Sequence, residues 1–126
     1  MSAAACMAGV QAEFDGNLER ARQCFREAWH RAADDHDRCV AAHYVAHLER
    51  DTAAAHAWNL EAMRFAMHIA PEQAATFMAS LVVSLGRTHE LLGHAGEAAE
   101  CYERARQLGL EHSPAMTQVP WLERGA

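Results

Sequence analysis

Apolar positions recur at helical spacing along the chain from its start to about Gly109. Met7, Val10 and Phe14 fall at i, i+3 and i+7, which puts them on one face of a first helix. Asp15-Gly16-Asn17 breaks that pattern, and Asn17 is a suitable N-cap for a second helix whose Leu18, Ala21, Phe25, Ala28, Trp29 and Ala32 share a face. Asp34-Asp35 ends the second helix and caps a third, predicted over about His36 to Leu48, with Val40, Tyr44 and Leu48 in one row. Asp51-Thr52 opens a fourth that carries Trp58, Ala62 and Phe65. Pro71 suits a first helical turn and Glu72 suits the positive end of a helix dipole, so a fifth and longest helix is predicted over about Pro71 to Leu92. Its wide apolar face is Phe77, Met78, Leu81, Val82, Leu85 and Leu92. Gly93-His94-Ala95-Gly96 turns the chain into a sixth helix with Ala98, Cys101, Tyr102, Ala105 and Leu108, and Gly109 stands where a helix end favours glycine. An all-α chain of three helical hairpins follows, over about residues 3–33, 36–69 and 71–109, with residues 110–126 as a tail.

The second helices of these hairpins repeat one another. Superposing Leu18–Ala32, Thr52–Ala66 and Ala95–Gly109 aligns Ala21, Ala55 and Ala98, then, seven residues later, Ala28, Ala62 and Ala105. Between them lie Cys24-Phe25, Trp58-Asn59 and Cys101-Tyr102. Close helix packing needs a small side chain where two backbones cross, and a bulky one a turn away fills the remaining gap.

This pattern resembles the tetratricopeptide repeat family. Gly9, Gly16, Ala21, Phe25 and Ala28 carry the likeness in the first unit, and Leu85-Gly86, Gly93, Ala98, Tyr102 and Ala105 in the third. The middle unit departs from it: Asn59 stands where a large apolar residue is usual, and either Ala42 or His43 takes the small position. The signature alanines are 34 and then 43 residues apart, and the excess is assigned to the long fifth helix. The resemblance implies a right-handed superhelical stack of the antiparallel hairpins, an α-solenoid. It also implies a concave groove, lined by the first helix of each hairpin, that binds a polypeptide partner. By that resemblance the groove residues are Cys6, Val10, Glu13, Val40, Tyr44, His47, Ser80, Val83, Arg87 and Glu90, with Arg87 as the anchor for a carboxylate or peptide carbonyl. The Arg and Asn cluster of the family's carboxylate clamps is not evident. About three repeats is the usual minimum for such a stack, so the outer face of the last hairpin is expected to be covered by the tail with Trp121-Leu122 or by a second copy as a homodimer.

Composition narrows the partner more than the chemistry. The net charge of −6 argues against a nucleic-acid footprint, and all eleven basic residues are Arg, a bias that suggests GC-rich coding and a bacterial source. Four cysteines without CxxC spacing read as free thiols in a reducing cytoplasm. The first residues lack the basic region of a signal peptide, and the apolar run Phe77 to Leu85 is far short of the roughly 20 residues that span a bilayer, so no membrane partner is expected.

Nine histidines are the remaining signal for chemistry. Cys39, His43 and His47 follow one another at i, i+4 and i+8, and a His-x3-His pair on a helix is competent to bind a transition metal. No HExxH and no second ligand pair accompanies them, so they are read first as groove side chains without metal. His89-Glu90 with His94 is read as a solvated helix end. Gly86, Gly93 and Gly96 form no phosphate loop, Asp34-Asp35 serve as a cap, and no nucleophile has a matched base. The expectation is a non-enzymatic, cofactor-free protein-binding module, the alternative being a His-rich metal-binding or ligand-sensing regulatory protein.

Overall fold

A computed structural model describes residues 2–75 and 77–109, and every regular element in them is helical. The order is α1 (Ser2–Phe14), α2 (Leu18–His30), α3 (Asp35–Leu48), α4 (Thr52–Ala66), α5 (Pro71–Ala74), α6 (Met78–Leu91) and α7 (Ala95–Gln107). The predicted caps are in place. Asn17 accepts the Arg20 N–H at 3.1 Å, Asp34 the Asp37 N–H at 2.8 Å and Asp51 the Ala54 N–H at 2.9 Å. Each satisfies a donor that a helix start leaves unpaired, an effect of about 1 kcal/mol. Gly16 and Gly93, with φ of 82° and 83°, make the left-handed turns that lead into α2 and α7.

Three pairs of helices pack antiparallel: α1 with α2, α3 with α4, and α6 with α7. Ser2 at the start of α1 donates its hydroxyl to the Ala28 carbonyl near the end of α2, at 2.9 Å. The first and third pairs approach through a glycine. A Cβ on Gly9 would stand 2.6 Å from Phe25 Cδ1, and one on Gly86 would stand 2.9 Å from Cys101 Cβ and 3.0 Å from Tyr102 Cε1. In the middle pair Ala42, fully buried, shares an apolar cluster with Ala62 and Ala66 of α4, which identifies it rather than His43 as the small contact residue. The pairs then join in chain order, α2 against α3 and α4 against α6, while α1 touches α3 and α3 touches α6. Trp29 of α2 meets Trp58 of α4 edge to face at 5.0 Å, between the first two pairs.

Asn59 accounts for the second junction. It is buried, and its amide donates to the Ser84 carbonyl at 3.1 Å and the Thr88 hydroxyl at 3.2 Å, so α6 seats on α4 through hydrogen bonds at that point.

One expectation is corrected. The predicted fifth helix is divided: α5 stops at Ala74 and α6 begins at Met78, with Phe77 at φ −130° and ψ −1° between them. Phe77 and Met78 pack instead against the cluster of Cys39, Ala42 and Leu81, so tertiary burial overrides the local helical preference. The extra residues of the second interval therefore form a short turn of helix and a break. The stripe Met7, Val10 and Phe14 of α1 is exposed, and α1 buries Ser2, Cys6, Gly9 and Ala12. No helix among the described residues is long and apolar enough to cross a membrane. The expected cover of the last hairpin by residues 110–126 lies outside the described residues.

Candidate functional site

The stripe left open on α1 borders two adjoining grooves. The first, of about 420 Å³, lies between α1 and the first half of α3, with Cys6, Met7 and Val10 facing His36, Asp37, Val40 and Tyr44. The second, of about 390 Å³, continues along the same helices to α6 and is lined by Val10, Glu13, His43, Tyr44, His47, Ser80, Val83 and Ser84. Val10 and Tyr44 belong to both, and they form the ridge between the grooves. The Tyr44 ring is fixed from behind by stacking on Phe25, with centroids 4.7 Å apart and planes 14° from parallel.

The second groove has a polar wall. His47 Nε2 donates to Glu13 Oε2 at 2.7 Å, tying α3 to α1. His43, one turn earlier, is held neutral: burial, and then the neighbouring His47, lower its pKa from 6.5 to about 4. Its Nδ1 is sealed from solvent and has no hydrogen-bond partner among the described residues. Cys6, at the floor of the first groove, has its thiol pKa raised by burial and then by Asp37, so it stays protonated and weakly nucleophilic at neutral pH. These grooves present apolar walls, hydrogen-bonding imidazoles and two acids, Glu13 and Asp37.

Of the residues expected at a groove, Cys6, Val10, Glu13, Val40, Tyr44, His47, Ser80 and Val83 line one or both. Arg87 and Glu90 line neither of these two. Glu90 turns toward α7 and accepts the Tyr102 hydroxyl at 2.7 Å; burial and that bond push the Tyr102 pKa well up. The carboxylates on the walls of these two grooves are Glu13 and Asp37.

The donors of the metal alternative, Cys39, His43 and His47, are not among the groups that converge. Cys39 is sealed in the α3–α4 core with its thiol pKa raised by burial to about 11, and His47 is committed to Glu13. The imidazoles that do meet are His56, His89 and His94. Their ring centroids lie 4.5 Å (His56 to His89), 5.3 Å (His89 to His94) and 6.3 Å (His56 to His94) apart, with Glu97 beside His94. Burial first, then His89 and His94, lower the His56 pKa. His56 was not distinguishable in the sequence: it lies on α4, 33 residues before His89, and only the seating of α6 on α4 brings them together.

No family model matches this chain, and neither a curated protein nor a solved structure does.

Proposed function

We propose that this chain is a non-enzymatic binding module, a tetratricopeptide-like stack of three hairpins that takes up an amphipathic segment of a partner polypeptide. The observation that carries the reading is the apolar stripe of α1: Met7 and Val10 are 74 % and 44 % exposed, and both face into a groove. Apolar side chains lining a concavity with a few fixed polar groups are the usual makings of a recognition surface. Contact of α1 with α3 and of α3 with α6 supports the reading, since a solenoid with a concave face needs its first helices adjacent.

The occupant we favour combines apolar side chains with Arg or Lys. Glu13 and Asp37 are the charged groups at the groove walls, and the chain as a whole carries −6. Paired labelled peptides with one apolar face and either a cationic or an anionic polar face test this by fluorescence anisotropy against wild type and Val10→Asp. Cationic peptides should bind, anionic ones should bind at least about tenfold more weakly, and Val10→Asp should weaken the cationic complex by about the same factor, roughly 1.4 kcal/mol. Equal binding by the variant would remove the groove assignment. Sedimentation of the free protein separates self-association through the same face from capture of a foreign segment.

A further inference from the structure

We infer that His89, His94 and Glu97, with His56 as the fourth donor, form a site for one divalent transition-metal ion of the zinc class where α4, α6 and α7 meet. His89 Nδ1 and His94 Nδ1 stand 3.1 Å apart. With Zn–N bonds of about 2.0–2.1 Å, two ligands of a tetrahedral ion are about 3.3 Å apart, so this pair already has nearly the required bite. Glu97 Oε2 lies 4.0 Å from His94 Nδ1, and donor atoms of His89, His94 and Glu97 all fall within 4.8 Å of one another.

His56 completes the set through its tautomer. When the one proton of the Thr88 hydroxyl goes to a carbonyl of its own helix, Leu85 at 3.1 Å or Ser84 at 3.5 Å, the oxygen accepts from Asn59 Nδ2 and from His56 Nδ1, the latter at 2.8 Å. That arrangement holds His56 as the Nδ1–H form, with the lone pair on Nε2 free for a metal. A polar group that fixes the tautomer of a ligand histidine is the usual outer support of a metal site. The His56 donor is not yet among the atoms that converge, and with ring centroids 4.5 Å apart it joins them when His89 and His56 draw together on ligation. On ligation, whichever of His89 and His94 carries its proton on Nδ1 shifts it to Nε2, so no charge is lost from the protein.

Imidazoles with a single carboxylate select zinc, nickel, cobalt or copper(II) over calcium and magnesium, which require oxygen donors. The second convergent group, Asp34, His36 and Asp37, is a poorer candidate: it offers one imidazole, and both carboxylates accept backbone N–H groups at the start of α3. The histidine site shares no residue with the grooves and is independent of their occupant.

The test is titration of the tag-free protein with Zn²⁺ by calorimetry and with Co²⁺ by visible absorption. Wild type should take up one equivalent at micromolar concentration and give the intense visible bands of four-coordinate Co²⁺. His94→Gln should lose more than about 100-fold in affinity, His89→Gln the same, and His56→Gln should lose about tenfold or more and weaken the Co²⁺ bands. His30→Gln and His68→Gln, exposed and outside the cluster, should bind as wild type does. His94 is exposed and makes no side-chain cap bond, so His94→Gln keeps its fold and remains decisive if another variant does not. Absence of saturable binding at micromolar Zn²⁺, or unchanged binding by His94→Gln, would overturn the assignment.

Discussion

His43 makes the stability of this fold depend on pH in a calculable way. The folded chain holds it at about 4 and the unfolded chain at its ordinary 6.5, so the native state is the poorer proton acceptor. Above about pH 6.5 both states carry the neutral ring and the residue contributes no slope. Below that the unfolded state takes up a proton that the folded state refuses, and stability falls by up to about 1.4 kcal/mol per pH unit until the folded ring titrates as well. Between about pH 7.5 and 4.5 the loss comes to roughly 2.5 kcal/mol. The groups facing the ring, His47 and Glu13 on the groove wall, remain in both proteins of the comparison, which is wild type against His43→Leu. Leucine has a similar volume and removes the unpartnered Nδ1, so at pH 7.5 the variant should be at least as stable as wild type. Urea unfolding at both pH values gives the two differences. Wild type should lose about 2.5 kcal/mol more than His43→Leu; equal losses would mean that the ring is solvated and that the groove wall is not built as described.

Two further predictions concern packing. Gly9→Ala forces a Cβ into the Phe25 ring, and the overpacking of about 1–3 kcal/mol outweighs the gain of about 1 kcal/mol in helix propensity; a double-mutant cycle with Phe25→Leu should show the penalty relieved, measured by thermal or urea unfolding. Asn59→Leu leaves the Ser84 carbonyl without its side-chain donor and should cost about 1–3 kcal/mol. Because the loss falls at the α4–α6 junction, hydrogen exchange should rise first in α6 and α7, and a uniform rise over all helices would contradict that placement.

Helix starts were legible because their causes are local. Asn17, Asp34 and Asp51 each act on an amide three residues away, so a short window of sequence contains the whole interaction. The break before Met78 was not legible, since the residues around it suit a helix and Phe77 leaves helical geometry for burial among residues of α3 and α4. Which face of α1 is buried was not legible either. Cys6, Gly9 and Ala12 are buried because small side chains let α2 approach, whereas hydrophobic periodicity gives most weight to the larger Met7, Val10 and Phe14. Groove positions such as Val10, Tyr44 and His47 could be reached from the repeat pattern, while Arg87 and Glu90 depended on how α6 and α7 meet.

The chain has joints of two kinds. Where an aromatic ring presses on a glycine, as at Gly9, the fit is steric. The joint between α4 and α6 is directional, made by Asn59 on the Ser84 carbonyl and on the Thr88 hydroxyl, and that hydroxyl has no capacity left once His56 is bonded to it. Protonation or ligation of His56 at Nε2 leaves its Nδ1–H bond to Thr88 in place and makes that N–H a stronger donor. The seating of the last hairpin and a partly buried imidazole thus share one oxygen atom.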